Sequence, residues 1–155
     1  MPKNSITPIE AQKKLERFCV YQERCHQEVW EKLYGLGLHK ATAEPIVAHL
    51  IEHNFLNETR FACSYARGKF TQKKWGKNRI VLELKRRKIS GYNCNKALEE
   101  IDEIEYETTF EMLFNKRKVA VQHHTPLVQK RKIMDYLLYR GWEKERIYAA
   151  LQKAF

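Results

Sequence analysis

Glycine and proline are scarce, six and four among 155 residues. Turn-rich β folds use both freely, so their scarcity disfavours such a fold. No apolar run is long enough to cross a bilayer. Met1-Pro2-Lys3-Asn4-Ser5 is not followed by the apolar stretch of a leader peptide. The expectation is a cytoplasmic protein with no membrane partner. The three serines, Ser5, Ser64 and Ser90, stand in no nucleophile-elbow sequence. G-x-x-x-x-G-K-S/T, G-x-G-x-x-G and H-E-x-x-H are all missing. His49 and His53 are four apart, a spacing that can hold a metal, but no third ligand accompanies them. A surface or interface pair is the expected reading. The four cysteines, Cys19, Cys25, Cys63 and Cys94, show no C-x-x-C spacing and are expected to be reduced. Cys63 and Cys94 fall at expected helix-core positions, where the thiol acts as a small hydrophobe. The sequence therefore predicts no enzyme, no catalytic residue, no cofactor and no metal.

What is present begins with a faint repeat. Val29, Leu33, Leu38, Ala43, Val47 and Leu50 return 51 positions later as Ile80, Leu84, Ile89, Cys94, Leu98 and Ile101. They return again, 53 further on, as Ile133, Leu137, Trp142, Ile147, Leu151 and Ala154. All eighteen are apolar or small, and steps of four and five with one of three fit helical faces. Val29, Leu33, Ile80, Leu84, Ile133 and Leu137 are the expected core. Gly37 and Gly141 precede the third residue of their sets; Lys88 takes that place in the second. Each set reads as helix, tight turn, helix. Such units are too small to bury an apolar face alone and stack into an elongated binding surface. An apolar content of 43%, with three Trp, eight Tyr and seven Phe, excludes disorder.

Charge is distributed unevenly. The chain carries +10. Residues 60–96 hold twelve bases and one acid, Glu83, a local net of +11. An acidic block follows: Glu99, Glu100, Asp102, Glu103, Glu105, Glu107 and Glu111. Such carboxylates can hold Mg²⁺, but no nuclease motif accompanies them. A solvated surface is expected, with ionic contact to the basic region. The basic focus points to an anionic partner, nucleic acid or acidic protein. The expected surface comprises Arg60, Arg67, Lys73, Lys74, Lys77, Arg79, Lys85, Arg86, Arg87, Lys88 and Arg140. Lys77, Arg79 and the run from Lys85 to Lys88 are expected to crowd onto outer helical faces, around the buried stripe of Ile80 and Leu84. Trp75 is expected to pack between modules, with base stacking as the alternative.

Punctuation divides the chain into nine helices. Thr7-Pro8-Ile9-Glu10 is a capping box with proline at the first helical position. Asn57 and Ser90 are N-cap candidates, Gly76 punctuates a fifth helix, and Thr125-Pro126 opens an eighth. Pro45 is expected in the first turn of the third helix, and the seventh is expected from about Glu105. His123-His124-Thr125 is expected to be a mobile loop. The expected modules are 1–54, 55–104 and 105–155.

The chain resembles the RecX family, bacterial regulators of the recombinase RecA. Leu56-Asn57-Glu58-Thr59-Arg60-Phe61-Ala62, then Gly76, Arg79, Ile80, Glu83, Leu84 and Ile89, follow the family's second-module pattern. Tyr136-Leu137-Leu138-Tyr139-Arg140-Gly141-Trp142 is similar to its third-module signature, and Glu28-Val29-Trp30-Glu31-Lys32-Leu33 to its first. Lys88 stands where the family has glycine, and Cys25 where serine usually opens the second helix. The resemblance implies an all-α fold of three tandem three-helix repeats forming an elongated, curved monomer. It also implies binding to the RecA filament on single-stranded DNA, with inhibition of ATPase, strand-exchange and co-protease activities. The alternative is direct nucleic-acid binding through the basic second module.

Overall fold

The computed structural model describes residues 5–155, so the leader-free reading at Met1 to Asn4 lies outside the described residues. The described residues form nine α-helices and no strand: α1 Pro8–Tyr21, α2 His26–Gly35, α3 Lys40–Glu52, α4 Glu58–Lys73, α5 Lys77–Arg86, α6 Gly91–Leu98, α7 Glu103–Ala120, α8 Pro126–Tyr139 and α9 Lys144–Ala154. Local chemistry sets their starts. The side chains of Thr7, Asn57, Ser90 and Asp102 each accept a backbone N–H three residues on. Each satisfies one of the donors that a helix start leaves orphaned. The Asp102 cap starts α7 at Glu103, two residues before the expected Glu105.

Pro45 corrects an expectation. It lies inside α3, not in its first turn. Ala43 is fully buried and needs helical geometry upstream of the proline, so the helix begins at Lys40. The missing Pro45 N–H removes one helical hydrogen bond there. Residues 121–124 form a turn in which the His124 N–H donates to the Val121 carbonyl. The Gln129 side chain donates to the His124 carbonyl at 2.6 Å. The segment expected to be a loop is a hydrogen-bonded turn.

Sixteen of the eighteen repeat positions are buried, and Leu98 and Ala154 pack against the core half-exposed. The repeat extends to the turn within each set. Gly37, Lys88 and Gly141 all have positive φ, 89°, 61° and 92°. The following N–H, of Leu38, Ile89 and Trp142, donates to the carbonyl five residues back in each case. This is a helix C-terminus closed by a left-handed residue. Lysine there carries a Cβ penalty that glycine lacks. Lys88→Gly should therefore raise stability by about 1 kcal/mol, read from chemical denaturation. An unchanged or lower midpoint would show that the turn is unstrained.

Helices α1–α3 pack on one another, as do α4–α6, while α8 packs on both α7 and α9. The three repeats do not have three cores. Ala11, Leu15, Val29, Leu33, Leu50 and their neighbours form one cluster. The second and third repeats share another, which also takes in Cys25 from the start of α2. Tyr106 joins the latter two: its ring lies 5.8 Å from Phe70 and 4.5 Å from Trp142. The chain exposes 10018 Å². A compact protein of this mass would expose about 8,200 Å². The excess reflects the elongated stacking.

All four thiols are free. Cys94 is in the core as expected, and so are Cys19 and Cys25, whose thiols burial pushes up to about 11. Cys63 is only half-buried. The inward stripe of α4 is Phe61, Ala62, Ala66 and Phe70, and residue 63 is turned about 100° away from residue 62.

Candidate binding surface

Helix α5 buries Ile80 and Leu84 at 0% exposure, and its remaining faces are rich in cations. The structure separates these cations into three groups.

The first group is built into joints. The N-terminus of α5 abuts the α8–α9 turn. The Gly76 N–H donates to the Arg140 carbonyl at 2.8 Å, and the Asn78 N–H to the Gly141 carbonyl at 3.0 Å. The Lys77 N–H donates to the Tyr106 hydroxyl, which donates to Glu143 at 2.6 Å. Burial first, then that carboxylate, push the Tyr106 hydroxyl pKa up. The Lys77 ammonium reaches Glu103 at 2.7 Å and holds its carboxyl below the usual range. Arg79 donates to the Tyr139 carbonyl at 3.1 Å, and Arg140 to that of Lys73 at 3.0 Å. Arg60 binds Glu23 at 2.6 Å and the carbonyls of Asn54 and Phe55, tying the first repeat to the second. Lys77, Arg79 and Arg87 are thus half-buried rather than crowded outward.

The second group is paired near the surface. Glu83 takes Arg86 at 2.8 Å and Arg87 at 3.4 Å. Arg67 pairs with Glu100, and the Lys74 ammonium donates to the Thr71 carbonyl. The acidic block therefore contacts the basic region through Glu99, Glu100 and Glu103, as its position suggested. Exposed pairs of this kind are each worth about 0–1 kcal/mol.

The third group is Lys73, Lys85 and Lys88, exposed and without an ion pair among the described residues. These ammonium groups are free for an anionic partner.

Between the groups runs a ladder of rings and cations. The Arg87 guanidinium lies 4.8 Å from the Tyr65 ring. Lys69 lies 5.4 Å from Tyr65 and 5.1 Å from Trp75. Arg79 lies 4.4 Å from Trp75 and 4.8 Å from Tyr139. Trp75 is half-buried against the core, and its ring neighbours Tyr65, Lys69 and Arg79 all belong to the second module, where packing between modules was expected. Cation–ring contact fixes each guanidinium in place, so less freedom is lost when it meets an anion.

A further cluster was singled out from the sequence only at Arg140. Arg117, Lys132, Asp135, Tyr136, Tyr139 and Arg140 line a concavity of about 490 Å³. The available signal was Tyr136 and Tyr139 on one turn, followed by Arg140. Arg117 lies a helix away, and no local pattern points to it. His49 sits 2.7 Å from Glu16, and its ring lies 4.4 Å from that of His53, tilted by 41°. Among the described residues, no three His, Cys, Asp or Glu side chains are arranged to hold a metal, and no helix is long and apolar enough to cross a membrane. The surface is suited to charge-assisted contact with anions.

Residues 57–98 match the family described as RecX, second three-helix domain. The chain is 26% identical over 133 residues to the regulatory protein RecX of Bacillus cytotoxicus, covering 86% of this chain and 49% of that one. It is 34% identical over 107 residues to the regulatory protein RecX of Serratia proteamaculans, covering 69% and 62%. The chain thus spans about half the length of the Bacillus relative. The crystal structure of RecX from Lactobacillus salivarius superposes with a TM-score of 0.82 at 23% identity, covering 94% of this chain and 95% of that one. At that identity the likeness concerns the fold. The matched second domain, the similarity to proteins named as regulators and the common all-α repeat architecture agree: what the chain is similar to, in its middle module, along most of its length and in its fold, is the RecX family.

Proposed function

We propose that this protein regulates RecA, mainly as an inhibitor, by binding the RecA filament on single-stranded DNA. Its effects would fall on filament ATPase, strand exchange and co-protease activity, through binding and without catalysis. The similarity to proteins named as RecX carries this reading. The elongated stack and its free cations support it, because both suit a long anionic partner. The modules 1–54, 55–104 and 105–155 would act together as one cytoplasmic monomer. The second reading, direct nucleic-acid binding by the basic second module, is favoured by Lys73, Lys85 and Lys88. Those three have no carboxylate partner among the described residues.

Charge reversal separates these readings from a purely structural role. The set is Lys73→Glu, Lys85→Glu and Arg86→Glu, with Arg60, Lys77, Arg79 and Arg140 left intact to preserve the joints. The assay is RecA ATPase on single-stranded DNA, titrated with each protein. The wild type should inhibit, and the triple variant should need about tenfold more protein, since three exposed contacts of about 0–1 kcal/mol fail together. The difference should narrow as salt rises. Equal inhibition by a folded variant removes this face from the mechanism. No inhibition by the wild type removes the RecA reading itself.

A further inference from the structure

We propose that the C-terminal end of α8 is a nucleotide subsite for single-stranded nucleic acid, with Tyr139 stacking on an unpaired base and flanking cations holding its phosphates. The site lies in the third repeat, outside the +11 segment except where Arg79 and Arg86 reach it, and it does not depend on RecA.

Tyr139 is 75% exposed, a large exposure for an aromatic ring on a folded helix. Arg79 sits 4.8 Å from its centroid and donates to its carbonyl, so the ring is braced from the protein side. The rest of the ring faces solvent. A braced, exposed ring is a sequence-tolerant platform for a base, because every base has a π-face. It does not suit duplex DNA, whose bases already stack on one another.

Tyr139 is also a ridge between two concavities. On one side, a groove of about 380 Å³ is lined by Arg79 and Arg86 together with one acid, Glu83, which pairs with Arg86. On the other, the 490 Å³ concavity holds Arg117, Lys132 and Arg140 against one acid, Asp135. A strand whose base rests on Tyr139 would place its adjoining phosphates toward these two groups of cations.

Arg117 is the second, independent sign of a ligand. Its Nε is shut off from solvent and has no hydrogen-bond partner. Its guanidinium lies 4.9 Å from the Tyr136 ring, and Arg140 lies 4.7 Å from the same ring. That Nε is closed to a ligand, but Arg117 lines the concavity and pairs with no carboxylate among the described residues, so the rest of its guanidinium can meet a phosphate oxygen. An acidic protein could supply an oxygen anion too, but the exposed ring favours a ligand with a base.

The test is fluorescence anisotropy with the full chain and no RecA. The probes are a labelled oligothymidylate of about a dozen nucleotides and an abasic oligomer of equal length. Tyr139→Ala should weaken the oligothymidylate about tenfold, in line with loss of one base–aromatic stack, and leave the abasic oligomer unchanged. Tyr139→Phe should bind like the wild type. Arg117→Gln should weaken both probes and lower the salt slope by about 1 between about 50 and about 200 mM. If Tyr139→Ala affects both probes equally, or neither, there is no stacking site. If Arg117→Gln leaves the slope intact, there is no phosphate contact. Polyglutamate competing as well as oligothymidylate would assign the face to an acidic protein. If Tyr139→Ala melts early, the salt slope of Arg117→Gln decides, with its melting midpoint measured beside the wild type as the folding control.

Discussion

Gly141→Ala should loosen the joint between the second and third repeats and lower stability by about 3 kcal/mol or more. Two effects act together. Gly141 has φ of +92°, where a Cβ is strained by about 1–2 kcal/mol. An added Cβ would also lie 2.3 Å from the Arg79 Cβ and 2.4 Å from its backbone nitrogen. Backbone cannot swing aside as a flexible side chain can, so α5 must move away from the α8–α9 turn. That movement breaks the bonds from Gly76 to the Arg140 carbonyl and from Asn78 to the Gly141 carbonyl. A buried group left unpaired costs about 1–3 kcal/mol. Gly76→Ala should act similarly, because its Cβ would stand 2.4 Å from the Gly141 carbonyl oxygen. Gly68→Ala is the control. That glycine lies within α4 with nothing within 4 Å of the added carbon, and the change should stabilise by about 0.5–1 kcal/mol. The measurement is the midpoint and slope of chemical denaturation. If Gly141→Ala unfolds like the parent, the joint is not the tight contact described.

Leu84→Asp should have an effect of similar or greater size. Leu84 is 0% exposed in the core shared by the second and third repeats. Removing the leucine costs about 2–5 kcal/mol, and an unpaired carboxylate adds several more unless it takes up a proton. The total approaches the about 5–15 kcal/mol that holds an ordinary domain together. Because the core is shared, near-ultraviolet circular dichroism from the third repeat should be lost as well. Burial raises the pKa of the introduced aspartate, so the deficit should be largest at neutral pH and shrink as acid protonates it. A variant that melts with the parent would mean that the outward and inward faces of α5 are assigned wrongly.

Both experiments bear on what was legible beforehand. The helices were legible because their causes are local. Thr7, Asn57 and Ser90 cap the residues beside them, and the apolar steps of the repeat need only helical periodicity to be read. Pro45 misled because a proline's nearest rule, first turn of a helix, was outweighed by Ala43 packing upstream of it. Cys63 misled because it follows the buried Ala62 directly, and one helical step turns it off the inward stripe.

The basic surface was legible as a total and not residue by residue. Lys73, Lys85 and Lys88 are open, as their charge suggested. Arg79 and Arg140 have carbonyl acceptors 60 and 67 residues away, and Arg60 has its carboxylate 37 residues away. Arg117 and Tyr139 acquire their setting in the same way. Chain order alone determined nine amphipathic helices, a threefold repeat and a positive segment, since each follows from neighbours within a few turns. Packing decided which repeats share a core, which cations tie joints and which remain free. A long guanidinium side chain reaches whichever acceptor the fold brings within about 3 Å, and that acceptor can come from any distance along the chain.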